Sequence, residues 1–280
     1  MVINWFPGHM KKTLEALQAD SKNIDIIMYV LDARAPFSSF NPKIDEIVKN
    51  KTILYVVNKA DLISKEDECK ILKTFIDQGK NVIALQGSNN NCKSILLNKL
   101  RELTKEKYDR QKAKGVDPVF KVMVIGTPNT GKSTIINTLY GQKKATTGDK
   151  AGVTKSKQWV KITENFVLLD TPGTLWPKFE DGLVALKLAF IGAIKKDVLD
   201  EEELGYELVK YLIENHFNLL VDRYKISQNK EREVIEIYDE IIKKMGCLIR
   251  GGEVDYSRGG IKLIDDFRSG KIGKICLDLK

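Results

Sequence analysis

The chain has 280 residues, 46 Lys and Arg against 38 Asp and Glu, and a formal net charge of +8. That length holds one large domain or two ordinary ones, with enough core to stand without staples. Cys69, Cys92, Cys247 and Cys276 lie far apart with no C-x-x-C pair, and His9 and His216 are distant from each other. No zinc site or disulfide framework is legible, as befits a reducing cytosol.

Apolar runs such as Ile26 to Leu31 are too short to span a bilayer, and Met1 to His9 shows neither a signal nor a transit pattern. A soluble, cytoplasmic protein with no membrane span is expected. In chain order, Trp5 to Met10 reads as an exposed leader and Thr13 to Ala19 as a helix. Ile24 to Leu31 reads as a buried strand, broken by Pro36 and Pro42. A helix marked by Ile44, Ile47 and Val48 leads to a second strand, Ile53 to Val57. Ser64 with Asp67 opens another helix in capping-box style, through Ile71, Leu72, Phe75 and Ile76.

A third strand, Asn81 to Leu85, precedes a helix marked by Ile95, Leu96, Leu97 and Leu100. A charged stretch then runs to Gly115. Val122 to Ile125 is the central strand, followed by strands at Trp159 to Ile162 and Phe166 to Leu169. Alternating strands and helices predict a mostly parallel α/β sheet with helices on both faces. From Asp181 onward only helices are expected, near 182–195, 200–215, 229–245 and 258–268. The spacing sets a domain boundary near 178, giving an α/β domain over 1–178 and a small all-α domain over 179–280.

The charge is uneven. Residues 1–180 carry 29 Lys and Arg against 19 Asp and Glu, and residues 181–280 carry 17 against 19. One basic run, Lys99 to Lys114, reads as a solvated helix face. The other, Lys143, Lys144, Lys150, Lys155, Lys157 and Lys161, follows the glycine loop described next and suits a polyanion, RNA rather than DNA.

Gly126-Thr127-Pro128-Asn129-Thr130-Gly131-Lys132-Ser133-Thr134 matches G-x-x-x-x-G-K-[ST] between a strand and a helix, the context that a phosphate-binding loop requires. The glycines let backbone N–H groups turn toward phosphate oxygens, and the helix N-terminus adds positive potential. Lys132 would neutralise the β- and γ-phosphates, and Ser133 would ligate Mg²⁺.

Asn58-Lys59-Ala60-Asp61 matches N-K-x-D. Asp61 can accept from guanine N1–H and the exocyclic amine, a donor pair that adenine lacks. Asn58 would bond the far edge of the base, and the Lys59 stem would cover its face. Asp170-Thr171-Pro172-Gly173 matches D-x-x-G, with Asp170 holding Mg²⁺ through water and the Gly173 N–H bonding the γ-phosphate. Thr154 could complete the Mg²⁺ shell, with Thr146 and Thr147 as rivals. The loop after the third strand, Gln86, Gly87 and Ser88, is a degenerate candidate for the base edge. Each motif alone is also compatible with an ordinary strand-end turn; together they specify a guanine-nucleotide site.

Their order is unusual. N-K-x-D precedes the phosphate loop, which indicates a circularly permuted GTPase, and termini that lie close together tolerate such reconnection. The permuted order, with Trp5-Phe6-Pro7-Gly8-His9-Met10, Asp32-Ala33-Arg34-Ala35-Pro36 and Phe267-Arg268-Ser269-Gly270-Lys271, resembles the YlqF/YawG family of permuted GTPases across essentially the whole chain. It resembles in particular the members that assemble the large ribosomal subunit. Ala151 stands where proline is common in the family, and Thr127 and Thr130 stand where aliphatics are common.

The resemblance implies a slow GTPase stimulated by the large subunit, using Mg²⁺, with the helical domain contacting ribosomal RNA. Thr174 follows D-x-x-G, so the water-orienting glutamine of other GTPases is absent. The resemblance offers His9 as its replacement, and a docking role for Pro7-Gly8-His9 stands beside it. Asn129 is similar to the asparagine that holds K⁺ in potassium-activated GTPases, with a plain loop role as the alternative. Arg258, Lys262, Arg268, Lys271 and Lys274 form a basic helical end that reads as a wet face or an RNA contact. Two rival functions remain open: a nucleotide-gated RNA-binding module with incidental hydrolysis, and a GTPase for a non-ribosomal partner. A monomer is expected, since nothing demands a dimer.

Overall fold

The computed structural model describes residues 9–48, 51–141, 158–171, 181–194 and 199–279. Six strands form one sheet: β1 (Ile26–Asp32), β2 (Thr52–Asn58), β3 (Asn81–Leu85), β4 (Phe120–Ile125), β5 (Gln158–Lys161) and β6 (Phe166–Asp170). Their order across the sheet is β3-β2-β1-β4-β6-β5. Every pairing is parallel except that of β5 with β6. β1 is buried at all seven positions, as expected of a central strand covered on both faces.

Alternation sorts the β-branched and aromatic residues to two cores. Met28, Val30, Val56, Val124 and Leu168 pack with Leu96 and Leu100 of α4 (Cys92–Lys112) and with Ile135 and Leu139 of α5 (Lys132–Tyr140). Tyr29, Leu31, Tyr55, Val57 and Ile125 pack on the other face. There they meet Leu17 of α1 (His9–Ser21), Ile44 and Val48 of α2 (Pro42–Val48), and Ile71 and Phe75 of α3 (Lys65–Asp77).

Beyond the sheet, α6 (Gly182–Phe190), α7 (Glu201–Tyr224), α8 (Val234–Lys244) and α9 (Tyr256–Arg268) build a third core. α7 and α9 cross where Gly205 meets Gly260, and a Cβ on Gly205 would lie 2.7 Å from the Gly260 Cα. The chain then returns to the sheet. The Leu277 N–H donates to the Arg34 carbonyl at 2.6 Å and Ile275 N–H to the Leu62 carbonyl at 3.2 Å, while Cys276 joins the α1–α3 core.

Several extents differ from the sequence reading. α1 begins at His9, inside the stretch expected to be a leader. α4 continues to Lys112 through the charged stretch. There Lys99 pairs with Glu102, Lys107 with Asp25 and Lys112 with Asp117, so this basic run is an exposed helix face with part of its charge paired. α7 continues to Tyr224, nine residues past the expected end, across non-helical dihedrals at His216. Among the described residues an isolated antiparallel bridge, Leu248 with Val254, lies in the region expected to be wholly helical. The boundary near 178 lies outside the described residues.

Candidate guanine-nucleotide site

Register gathers the motif residues at one edge. Asp32 pairs with Asn58, Asn58 with Leu85, Tyr29 with Ile125, and Val124 with Asp170. The carboxyl ends of β1, β2, β3, β4 and β6 therefore open together, where open α/β sheets bind ligands. N-K-x-D and the phosphate loop, about seventy residues apart in sequence, become neighbours.

The phosphate loop leaves β4 through Gly126 (φ +147°) and enters α5 through Gly131 (φ +91°). A Cβ on Gly126 would strike the Val30 carbonyl, and one on Gly131 would strike the Asn58 amide. Both positions combine a left-handed backbone with no room for a side chain. Asn129 also holds φ +60°, a region asparagine tolerates better than most residues. Pro128 and Thr130 complete the turn, with the Thr130 hydroxyl donating to the Thr127 carbonyl at 3.1 Å. Thr127 keeps a buried hydroxyl with no hydrogen-bond partner among the described residues.

Lys132 opens α5 with Ser133 and Thr134. Its ammonium donates to the carbonyls of Gly126 (3.1 Å) and Thr127 (2.7 Å) inside the loop. Burial pushes its pKa down to about 8, helped by the charge of Lys59 and opposed by that of Asp170. The Asp170 carboxylate is buried, and among the described residues neither of its oxygens has a hydrogen-bond partner. Burial raises its pKa, against the pull of Lys132. Its neighbour Thr171 is tied to β4 by a 2.6 Å bond to the Val124 carbonyl.

Such a buried carboxylate with no hydrogen-bond partner among the described residues fits a hard, oxygen-seeking dication. Mg²⁺ suits this donor set.

Asn58 braces two loops. Its Nδ2 donates to the Thr130 carbonyl at 2.8 Å, and its Oδ1 accepts from the Gly87 N–H at 2.8 Å. Thr138 of α5 also donates to the Gly87 carbonyl at 2.7 Å. The sequence reading gives Asn58 to the base; here both ends of its amide hold backbone. Gly87 thus sits inside the site, and Ser88 is exposed beside it. Asp61 lies exposed on the 3-10 turn Ala60–Leu62, directly after Lys59. The His9 side chain, Thr154 and Gly173 lie outside the described residues, as do Thr146 and Thr147.

Two residues that the sequence reading gave no role stand at the centre. Asp32, fully buried at the end of β1, pairs with the Arg34 Nη2 at 2.7 Å and with the Lys59 Nζ at 2.9 Å. Burial alone would raise its pKa, but those two cations outweigh it and hold the carboxyl far below the usual range. Lys59 also donates to the Asn129 carbonyl at 2.6 Å. Their signal in the sequence is a polar D-x-R at the end of an otherwise apolar strand.

A family model described as 50S ribosome-binding GTPase matches residues 121–248. A second, described as ethanolamine utilisation - propanediol utilisation, matches residues 7–102. Ribosome biogenesis GTPase A of Bacillus licheniformis is 42% identical over 279 residues, covering 99% of this chain and 98% of that one. The chain belongs to the ribosome biogenesis GTPase A family.

Mitochondrial ribosome-associated GTPase 1 of Mus musculus is 32% identical, over 99% of this chain and 90% of that one. The crystal structure of GNP-bound YlqF from T. maritima superposes with a TM-score of 0.67 at 26% identity, covering 95% of this chain and 97% of that one. As a GTPase of this family, the chain carries N-K-x-D at the end of β2, before the phosphate loop that follows β4, and so is circularly permuted. Among the described residues no helix is long and apolar enough to cross a membrane.

Proposed function

We propose that the chain is a GTP-hydrolysing assembly factor for the large ribosomal subunit, acting in the cytoplasm and binding ribosomal RNA when GTP is bound. The carrying observation is the end-to-end match to ribosome biogenesis GTPase A, together with the meeting of Asn58, Gly87 and the phosphate loop at one sheet edge. Asp61 selects guanine, and Lys132 meets the β- and γ-phosphates, its pKa of about 8 rising when an anion enters.

Ser133, Thr154 and Asp170 would hold Mg²⁺, which would offset phosphate charge in the transition state. Asn129 is the residue that would recruit K⁺, and Gly173 the one that would sense the γ-phosphate. His9 would orient the attacking water once the subunit seats it. On this reading the two units divide the work, residues 1–178 binding nucleotide and residues 179–280 docking. Exposed Arg258 and Lys274 face solvent for RNA, as do Lys262 and Lys271, although the Lys262 ammonium also donates to the Met245 carbonyl (2.8 Å) and Lys271 pairs with Asp266 (3.4 Å). Arg268 is not among them, because its guanidinium donates to the carbonyls of Phe190 (2.9 Å) and Ala189 (2.8 Å).

The deciding experiment is the GTP hydrolysis rate with and without large ribosomal subunits, in K⁺ and in Na⁺ buffer. A rise of about tenfold on adding subunits, a barrier change of about 1.4 kcal/mol, is expected. His9→Ala should remove that rise and leave the basal rate. No stimulation and no GTP-dependent subunit binding would end the ribosomal assignment.

A further inference from the structure

The nucleotide loop and the helical unit are joined by a closed circuit of hydrogen bonds. Starting at Asn129, its carbonyl accepts from the Lys59 ammonium at 2.6 Å. Lys59 donates to Asp32 Oδ2 at 2.9 Å. Asp32 accepts the fork of Arg34, Nε on Oδ1 at 2.9 Å and Nη2 on Oδ2 at 2.7 Å. The remaining arm of that guanidinium, Nη1, donates to the Arg268 carbonyl at 3.2 Å, at the end of α9.

Arg268 in turn caps the last carbonyls of α6 through Nε and Nη2, and Gly192 lies against the same guanidinium. The Gly192 carbonyl then accepts from Asn129 Nδ2 at 2.7 Å, which closes the ring.

Asn129 is thus held at both ends, by the sheet unit at its carbonyl and by the helical unit at its amide. It is also the non-glycine residue that turns the phosphate loop through positive φ. A loop pre-set in its binding conformation binds more tightly than one that must be ordered. Arg34 is well suited to carry this link. Its planar fork serves Asp32 and the Arg268 carbonyl at once, and the ring of Phe267 lies 5.8 Å below its Cζ.

We propose that Arg34 and Arg268 are positioning residues for the guanine nucleotide, through which the seating of the helical unit sets the affinity of the phosphate loop. This rests on the guanine-nucleotide reading of the site. It adds a path from the helical unit to the nucleotide that bypasses the D-x-x-G segment. A partner that shifts α6 or α9 would then alter nucleotide affinity, and bound nucleotide would alter that partner's affinity by the same factor.

The test measures GDP affinity and thermal midpoint for the full chain, for Arg34→Lys, for Arg268→Ala and for the double variant. Arg34→Lys keeps a charge beside Asp32 and loses the fork. Each single variant should weaken GDP by about fivefold or more, and the double should be no weaker than the worse single. That non-additivity is the mark of one shared path. Ile241→Val, deep in the helical core, lowers stability without touching the ring and should leave GDP affinity within about twofold.

Single variants that bind GDP within about twofold of the parent overturn the proposal and leave the GTPase intact. So do effects that multiply in the double, or equal weakening by Ile241→Val. A parent chain that binds no guanine nucleotide overturns the reading of the site itself. If Arg268→Ala does not fold, Arg34→Lys against Ile241→Val decides alone.

Discussion

Asp32 shows how much one side chain can carry. Removing its charge in Asp32→Asn leaves the guanidinium of Arg34 and the ammonium of Lys59 without their counter-ion, and breaking a buried pair costs about 3–5 kcal/mol. Because its folded pKa is depressed, its stabilisation is complete above the unfolded value of about 3.9 and is lost as pH falls toward the folded one. Denaturant unfolding should show the wild type losing stability below about pH 4, with a flatter acid limb in Asp32→Asn. An unchanged acid limb would mean that another carboxylate dominates. A second substitution addresses function: Asp61→Asn withdraws the acceptor for two guanine donors, so competition binding should show GTP preference over ATP falling by about tenfold or more.

At this scale the sequence is uneven in what it discloses. Gly126, Gly131 and Lys132 are legible because phosphate chemistry demands those types at fixed spacing. The link that Arg34 makes is not, because its partner Arg268 is 234 residues away, and the local D-x-R pattern does not encode so distant a partner. The bracing of Gly87 by Asn58 was equally hidden.

Helix extents show the same division between local and distant causes. α3 was legible to its cap: Ser64 accepts from the Asp67 N–H at 3.0 Å, and Ile71 and Phe75 form its buried stripe. α4 was not, because its later turns bury little beyond Thr104 and are held by helix-forming Lys, Glu and Arg. Their charge resembles a linker when hydrophobic period is the guide.

The α7–α9 crossing was invisible for another reason. Gly205 and Gly260 lower helix propensity, and only the partner helix explains them. A Cβ on Gly260 would meet the Glu201 carbonyl at 2.5 Å, a backbone atom that cannot swing aside. Gly260→Ala gains up to about 1 kcal/mol of propensity, but overpacking of this kind costs about 1–3 kcal/mol. The expected net effect is a lower thermal midpoint by calorimetry. A raised midpoint would show that the helices part at no cost.

For the molecule as a whole, the permuted order has a mechanical consequence. The chain leaves the sheet after β6, builds the helical unit and comes back to the loop that follows β1. Its return is fastened by Asp278, which accepts from the Phe37 and Ser38 N–H groups at 2.8 Å each and from the Ser38 hydroxyl at 2.5 Å. Lys187 of α6 completes the cluster with a 3.0 Å ion pair.

One carboxylate therefore ties together the loop after β1, the first helix of the helical unit and the end of the described chain. Asp278→Ala would leave two backbone donors and a largely buried ammonium without their acceptor, at a cost of about 3–5 kcal/mol. Hydrogen exchange should then show residues 34–40 and α6 losing protection together, while β2 and α4 keep theirs. Loss confined to residues 34–40 would mean that α6 is seated independently of this strap.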